Sequence, residues 1–186
     1  MAEKEHISDL QLMEQIRKGN VHALEVLFDR YYEPLCNFSF LMLKSVNHSE
    51  ELVSDVFIRI WQNREKHTKV TYVKAYLYRS VRNAVISYLR KNKPEFSDIS
   101  NHENYLKMEV TPETLMVRQD LRKAVGTAID AMPLKTGLIF RLHKVDGMSY
   151  KEIASTLELS VKTIENHMGK ALRFVRDLHA KNPDYF

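Results

Sequence analysis

The chain of 186 residues has a single cysteine, Cys36, and only five glycines and five prolines. One cysteine excludes an intramolecular disulfide, and with it a secreted scaffold that depends on such bonds. So few glycines and prolines argue against collagen-like, low-complexity and turn-rich all-β architectures. Apolar runs fall far short of the roughly 20 residues that a membrane span needs, and the polar start, MAEKEHISDL, predicts no signal peptide. We therefore expect a cytoplasmic protein without membrane insertion.

Signatures of catalysis and of metal binding are also missing from the sequence. The eight histidines show no HExxH or paired ligand spacing, and neither a Cys-x-x-Cys pair nor a glycine-rich phosphate loop is present. We therefore predict that the chain has no metal site, no cofactor, no catalytic residue and no enzymatic activity of its own.

Helical spacing of apolar residues runs through almost the whole sequence. Ser8 and Gln11 predict a capping box before the first helix, and Gly19-Asn20 predicts its end. Further helices are predicted from about Asn47 through EELVSDVFIRIWQ, and over YVKAYLYRSVRNAVISYLRK. Because no segment keeps a period of two, the predicted fold class is all-α.

The stretch KPEFSDISNHENYLKMEVTP divides the chain, since it is polar and has no consistent apolar face. A structureless loop of that length is uncommon inside a compact domain. We therefore predict two helical domains, residues 1–92 and 113–186, joined by a flexible linker over residues 93–112. Helices are expected to resume at Thr111-Pro112, because threonine suits the N-cap and proline the first helical position.

Acidic side chains are absent from Lys66 to Pro94, a run of 29 residues. The formal net charge of +4 hides this asymmetry. By segment, the net charge is −4 over residues 1–63, +7 over residues 64–92, −2 over residues 93–112 and +3 over residues 113–186. A total of +4 says little about a partner, but a local charge of +7 indicates an acidic one such as nucleic acid.

The basic helix has two unlike sides. Its predicted core stripe consists of apolar residues, namely Val73, Leu77, Val81, Ala84, Val85 and Tyr88. The opposite side carries cations, two tyrosines and an asparagine, namely Tyr72, Tyr76, Arg79, Arg82, Asn83, Arg90 and Lys91. Cations attract phosphates, exposed rings stack on unpaired bases, and an asparagine amide can read a base edge. This face is predicted to bind single-stranded or opened DNA; alternatively, the tyrosines pack on a neighbouring helix and the cations are only solvated surface.

The segment VDGMSYKEIASTLELSVKTIENHMGKALRFVR predicts a helix-turn-helix. Gly147 is predicted to end one helix in a left-handed conformation, and Ser149 with Glu152 to cap the next. After a turn at Glu158-Leu159, where glycine is more usual, Ser160 is predicted to cap the recognition helix. The predicted inward residues of that helix are Val161, Ile164, Met168, Leu172 and Val175. Those predicted to contact duplex DNA are Ser160, Lys162, Thr163, Glu165, Asn166, His167 and Lys170. A helical hairpin used only for packing is the alternative.

Three segments in this order resemble the extracytoplasmic-function (ECF) class of bacterial RNA polymerase sigma factors. They are SEELVSDVFIRIWQ, YLYRSVRNAVISYLRK and MPLKTGLIFRLHKVDGMSYKEIASTLELSVKTIENHMGKAL, and the resemblance runs from about Ile7 to Leu178. It implies an alternative sigma factor that binds core RNA polymerase, directs it to specific promoters and helps to open the DNA. It also implies an anti-sigma partner and a linker that passes near the RNA exit path of the polymerase.

The resemblance further implies a role for each domain. The helix Glu51–Gln62 would bind the β′ clamp of the polymerase, with the β subunit as a further contact. Its predicted core residues are Leu52, Val53, Val56, Phe57 and Ile60, and its outward stripe consists of Glu51, Ser54, Asp55, Ile58 and Gln62. The basic helix would recognise the proximal promoter element and hold the melted strand, and the C-terminal domain would bind the distal element as duplex. Ser54 departs from the family's usual Gln, and Ser87 from its usual Asp.

A conventional helix-turn-helix regulator with an N-terminal sensing or dimerising domain is the alternative function. It accounts equally well for residues 120–178, but not for the basic aromatic helix or for the acidic helix before it. The two functions differ in their partners, because a repressor binds its operator unaided whereas a sigma factor needs core polymerase.

Overall fold

The computed structural model describes residues 7–67, 70–92, 129 and 131–181. The chain divides into two compact units, Met1–Asn92 and Lys93–Phe186. Every regular element in the described residues is a helix, which confirms the all-α prediction. The predicted linker, and the helix predicted to begin at Thr111-Pro112, lie outside the described residues.

Helices α1 (Asp9–Arg17) and α2 (Val21–Leu43) open the N-terminal unit. The backbone N–H of Ser8 donates to Gln11 Oε1 over 2.8 Å, and the Gln11 N–H donates back to Ser8 Oγ over 3.3 Å. Gly19 follows α1 with a φ of +87°, a left-handed conformation that glycine adopts without steric cost. The side chain of Asn20 then caps α2. The predicted capping box and the predicted break are both confirmed.

Helices α3 (Val46–Gln62) and α4 (Val73–Lys91) complete this unit, with a short 3₁₀ turn at Arg64–Lys66 between them. Helix α2 packs against α1, α3 and α4 and so forms the centre of the unit. The core consists of large apolar side chains from all four helices, among them Leu12, Ile16, Leu27, Leu35, Phe38, Val53, Ile60, Leu77 and Tyr78. Polar contacts also join the start of α1 to α2. Asp9 forms an ion pair with Arg30 and accepts a hydrogen bond from Tyr31.

The C-terminal unit contains helices α5 (Leu134–Lys144), α6 (Tyr150–Leu157) and α7 (Val161–Lys181). Gly147 has a φ of +66°, and Ser149 forms the predicted capping box with Glu152. Glu158 ends α6 in the left-handed region with a φ of +56°, where most helices would carry glycine. The N–H of Thr163 donates to Ser160 Oγ over 3.1 Å, which confirms Ser160 as the cap of α7.

The inward face of α7 differs from the predicted one. Ile164 and Met168 are buried as expected, but Val161 and Leu172 are 38% and 46% exposed. Ala171 is fully buried in their place. At about 100° per residue, the buried positions 164, 168 and 171 span a stripe of only about 60°, and Val161 and Leu172 lie about 20° and about 40° beyond its edge at Met168.

None of the helices within the described part of the chain is long and apolar enough to cross a membrane.

Two glycines of the C-terminal unit have opposite surroundings. A Cβ on Gly137 would lie 2.7 Å from the carbonyl oxygen of Ile129, whereas one on Gly169 would meet nothing within 4 Å. Gly137 is buried in α5, and Gly169 is exposed on α7. Only Gly137 is therefore required for close packing.

We expect Gly137→Ala to destabilise the C-terminal unit by about 1–3 kcal/mol, because the backbone must shift to admit the methyl group. The matched control Gly169→Ala should stabilise the same unit by up to about 1 kcal/mol, because alanine has the higher helix propensity. Amide hydrogen exchange of residues 134–144, followed by mass spectrometry, measures both effects. Equal exchange rates in the two variants would contradict the role given to Gly137.

Candidate nucleic-acid and polymerase interfaces

Helix α4 buries the predicted apolar stripe almost completely. Val73, Leu77, Val81, Ala84 and Val85 are all buried, and Tyr88 is half-buried with its ring 4.9 Å from that of His48. The pattern did not indicate that Ala75 and Tyr78 are buried as well. The Tyr78 ring packs edge-on against Phe38 of α2, with 5.1 Å between centroids. The orientation of α4 about its own axis is therefore set by packing.

The opposite side of α4 presents the cationic surface. Arg79, Asn83, Arg90 and Lys91 are exposed, and Arg82 is half-buried with its Nη1 atom 3.4 Å from Asn83 Oδ1. Tyr72 stands at the N-terminal end of this surface and is 70% exposed. Exposed rings and cations side by side are the features that single-strand-binding proteins use for stacking and for phosphate contacts.

Tyr76 is less open than the sequence predicted. Its hydroxyl lies 3.4 Å from Nδ1 of His67, and the two rings meet edge to face with 5.5 Å between centroids. His67 ends the 3₁₀ turn before α4, so that this contact joins the turn to the helix. Tyr72 is thus the more accessible ring of the predicted pair.

Helix α3 carries the acidic stripe. Glu51, Asp55, Ile58 and Gln62 are exposed, with Ile58 at 52%, and Val53, Val56, Phe57 and Ile60 are buried. Leu52, which was expected in the core, is only half-buried. Ser54 is half-buried too, with its side chain close to that of Tyr32 in α2. The open part of the stripe therefore consists of two carboxylates, one apolar side chain and one amide.

Cys36 is a half-buried residue of α2, close to Tyr32 of the same helix and to Glu50 of α3. Burial raises the pKa of its thiol to about 11, and the negative charge of Glu50 acts in the same direction. A hydrogen bond with Tyr32 opposes the shift but does not cancel it. The environment of Cys36 therefore favours the protonated, unreactive thiol.

The N-terminal turns of α7 hold most of the predicted duplex-binding residues. Lys162, Glu165, Asn166 and Lys170 are exposed, and Lys162 Nζ lies 3.4 Å from Glu165 Oε2. Thr163 is half-buried, with its hydroxyl 2.8 Å from that of Ser160. These side chains form one polar surface that continues from the cap of the helix.

His167, which is also predicted to point outward, contacts a second helix. It is half-buried, and its Nδ1 atom lies 3.0 Å from Oγ1 of Thr136 in α5. Burial, followed by the charges of Lys135 and Lys170, lowers the pKa of the imidazole. Thr136 carried no sequence signal, since its partner is 31 positions away and on another helix.

A second histidine, which the sequence reasoning also missed, organises the start of the helix-turn-helix. Nδ1 of His143 donates to the carbonyl oxygen of Met148 over 2.8 Å, and its ring packs edge-on against Tyr150. Arg141, in the last turn of α5, and Asp146, just beyond the end of that helix, approach to 3.8 Å. These contacts hold the α5–α6 turn.

Within the described ranges, no group of three histidine, cysteine, aspartate or glutamate residues could hold a metal ion.

Comparison with known proteins matches both units. The family model described as Sigma-70 region 2 matches residues 27–95, and the one described as Sigma-70, region 4 matches residues 122–175. The ECF RNA polymerase sigma-E factor of Escherichia coli K12 is 27% identical over 176 residues, which cover 90% of this chain and 92% of the relative. The ECF RNA polymerase sigma factor SigW of Bacillus subtilis 168 is 26% identical over 179 residues, which cover 89% and 96%. The chain belongs to the ECF sigma factors.

Solved structures share the fold of this ECF sigma factor. CnrH, solved in complex with the cytosolic domain of CnrY, has a TM-score of 0.63 and 20% identity, over 94% of this chain and 98% of that chain. The sigma factor RpoE of Bartonella quintana, solved with the anti-sigma factor NepR, has a TM-score of 0.57 and 16% identity, over 85% and 97%. The prediction of an alternative sigma factor with two helical domains is confirmed.

Membership of the family accounts for both parts of the chain, whereas a conventional regulator accounts only for the second. The basic face of α4 and the acidic stripe of α3 lie in the segment that matches region 2, and α5, α6 and most of α7 lie in the segment that matches region 4. Ser87, where an ECF sigma factor usually has Asp, is half-buried on α4.

At pH 8 we expect Cys36 of the folded chain to react with iodoacetamide roughly a hundredfold more slowly than Cys36 of the urea-unfolded chain. A pKa of about 11 leaves only a very small fraction of the thiol ionised at that pH. Because Cys36 is the single cysteine, whole-protein mass spectrometry follows the reaction without ambiguity. The folded rate should rise with pH up to about 11; equal rates for the folded and unfolded chains would contradict the assigned environment.

Proposed function

We propose that this ECF sigma factor binds core RNA polymerase through α3, holds the melted promoter strand on α4 and reads duplex DNA with α7. The observation that carries the proposal is the separation of charge between the packed neighbours α3 and α4. The exposed side of α3 carries Glu51 and Asp55, and that of α4 carries arginines, a lysine and Tyr72. The acidic surface repels DNA and the basic one attracts it, so each suits a different partner.

The contact with polymerase is proposed for the outward stripe of α3. Ile58 supplies an exposed apolar centre, Glu51 and Asp55 supply charge, and Gln62 extends the stripe at its end. An apolar anchor flanked by charges is the usual anatomy of a protein interface. The family resemblance points to the β′ clamp as the partner, with the β subunit as a further contact. Ser54 contributes least, because it is half-buried beside Tyr32 and departs from the family's usual Gln.

The strand contact is proposed for the exposed side of α4. Tyr72 offers a ring to an unstacked base, and Asn83 offers an amide to a base edge. Arg79, Arg90 and Lys91 supply attraction to phosphates along the helix. Holding an extruded base offsets the unstacking cost of a few kcal/mol that opening requires. This combination suits the proximal promoter element after it has opened.

The duplex contact is proposed for the first turns of α7. Lys162 and Asn166 are exposed one helical turn apart, which suits contacts with a phosphate and a base edge of the major groove. Lys170 continues the basic surface one turn later. The partner would be the distal promoter element.

The remaining partners and the location follow from this role. We propose an anti-sigma factor as the inhibitory partner, because the similar sigma factor RpoE of Bartonella quintana was solved with the anti-sigma factor NepR. CnrH, which is also similar, was solved in complex with the cytosolic domain of CnrY. We also propose that the chain works in the cytoplasm, where the polymerase is found. It performs no chemistry itself, since the polymerase supplies the active site.

In vitro transcription with purified core polymerase over a genomic template library tests the function. We expect the chain to direct initiation at a defined set of start sites and to bind those promoters poorly without the polymerase. Specific binding of the isolated chain to its sites, with no gain in initiation, would instead indicate a conventional regulator.

Reversing the charge of the α3 stripe should weaken the complex with polymerase. We expect Glu51→Lys with Asp55→Lys to lower the affinity for core polymerase by about tenfold or more, because both side chains would oppose the charges that they now complement. Competitive co-purification with the wild-type chain measures the loss. The control Glu25→Lys with Asp29→Lys makes the same change on exposed positions four apart on α2. If both double variants bind like the wild type, the stripe is only solvated surface.

Removing the open ring of α4 should affect strand opening more than duplex binding. We expect Tyr72→Ala with Asn83→Ala to reduce permanganate reactivity of promoter thymines by roughly tenfold in the holoenzyme, because base stacking contributes about 1–3 kcal/mol per base. Tyr72→Phe is the matched control, since it keeps the ring. Full opening by the double variant would remove α4 from the mechanism.

Truncating two residues of α7 should weaken promoter selection without unfolding the unit. We expect Lys162→Ala with Asn166→Ala to lower initiation from the selected promoters by at least about tenfold, because each lost base contact costs about 1–3 kcal/mol. His167 is left unchanged because its ring contacts Thr136. Lys144→Ala, which removes an exposed cation from the end of α5, is the control. Wild-type initiation by the double variant would overturn the assignment of α7.

A further inference from the structure

Thr136 is a buried polar residue at the contact between α5 and α7. Only 3% of it is exposed, and its Oγ1 atom lies 3.0 Å from Nδ1 of His167. In the part of the chain that the structure describes, this is the hydrogen bond that its hydroxyl makes. A buried hydroxyl proton needs an acceptor, because leaving it unpaired loses the hydration it had in water.

The direction of this hydrogen bond follows from that requirement. If the hydroxyl of Thr136 donates, Nδ1 of His167 must carry a lone pair, and the proton of the neutral ring is then on Nε2. The opposite arrangement would leave the hydroxyl proton without an acceptor among the residues that the structure describes. The charges of Lys135 from α5 and Lys170 from α7 act against a protonated ring, and they agree with burial in lowering the imidazole pKa.

We propose that Thr136 is a positioning residue that holds His167 as the neutral Nε2–H tautomer, so that α7 offers DNA a hydrogen-bond donor at this position. Nε2 lies across the ring from Nδ1 and therefore points away from Thr136. The proposal rests on the proposed function of α7 as the duplex reader. It makes His167 unlike its neighbours Lys162 and Lys170, which act as point charges.

A fixed N–H donor selects acceptors on DNA. In the major groove these are N7 and O6 of guanine, N7 of adenine and O4 of thymine, whereas the cytosine amino group is rejected. A phosphate oxygen is the other acceptor within the same chemistry. The two kinds of acceptor are distinguishable. Loss of a base contact weakens discrimination at one base pair, whereas loss of a phosphate contact weakens binding to all sequences alike.

The tautomer is measured on the free full-length chain, without DNA. We expect ¹⁵N-resolved NMR of His167 to show an unprotonated, hydrogen-bonded Nδ1 and a protonated Nε2. Thr136→Val, which has the same shape, should remove the hydrogen bond from Nδ1 and raise the His167 pKa, because the neutral form loses its donor. Thr136→Ser keeps the hydroxyl and should restore both. A protonated Nδ1 in the wild type, or an Nδ1 shift unchanged by Thr136→Val, would overturn the proposal.

The functional test is a double-mutant cycle in the holoenzyme, on promoters selected by the library transcription. We expect Thr136→Val to lower initiation about fivefold in the wild-type background and to have no effect in a His167→Ala background, because Thr136 acts through His167. A loss that persists with His167→Ala would mean that Thr136 only supports packing.

Two replacements of His167 separate its nitrogens. The amide of Gln can place an N–H group where Nε2 stands, whereas the shorter Asn reaches only the position of Nδ1. We expect His167→Gln to initiate about fivefold better than His167→Asn, and equal loss in both variants would contradict the donor role.

Single base-pair substitutions across the distal element then identify the acceptor. The double variant Lys162→Ala with Asn166→Ala separates this proposal from the proposed function. If it initiates like the wild type, the duplex role of α7 is wrong. The hydrogen bond between Thr136 and His167 is then still supported if NMR shows an unprotonated Nδ1.

Discussion

Burial of one stripe of α4 against its neighbours is the constraint on which the N-terminal unit depends. Val73, Leu77, Val81 and Val85 are each buried, and a fully buried side chain of this kind stabilises the fold by about 1.5–3 kcal/mol. A turn of the helix by one residue would expose these side chains and push Arg82 into the core. The cations of α4 are therefore directed outward by apolar packing.

The same constraint gives α3 and α4 exposed surfaces of opposite charge. Both helices pack on α2 and on each other, so that each has one remaining side for charges. Glu51 and Asp55 occupy that side of α3, and Arg79 and Asn83 that of α4. Two surfaces of opposite charge on one small unit can bind a protein and a nucleic acid without competition. The acidic surface repels the nucleic acid, and the basic surface repels a partner that complements the acidic one.

The C-terminal unit depends on its turns as much as on its core. Glu158 reverses the chain in a left-handed conformation, and Ser160 then caps α7, so that the direction of α7 relative to α6 is set by two adjacent backbone features. The close approach at Gly137 and the hydrogen bond between Thr136 and His167 connect α5 to the rest of the unit. A reading helix needs such support, because base contacts tolerate only small errors in position.

Local patterns were sufficient for the elements and for most of the exposed surfaces. The capping boxes at Ser8 and Ser149 and the break at Gly19 depend on neighbours within a few positions, so they are readable along the chain. The same holds for the stripe of α4, because helical periodicity assigns each residue to one side or the other. Resemblance to the family added the roles, which no periodicity contains.

By itself, the sequence determined the all-α class, the asymmetric charge, and which side of α3 and of α4 is apolar. Only the tertiary structure decided how open each exposed residue is and what it touches. In the folded chain Tyr76 is half-buried against His67, and His167 contacts Thr136. Ala171 is buried where the helical pattern predicts Leu172. The physical reason is that a helical wheel fixes the direction of a side chain from its own axis, whereas its burial and hydrogen-bond partner depend on where another helix packs.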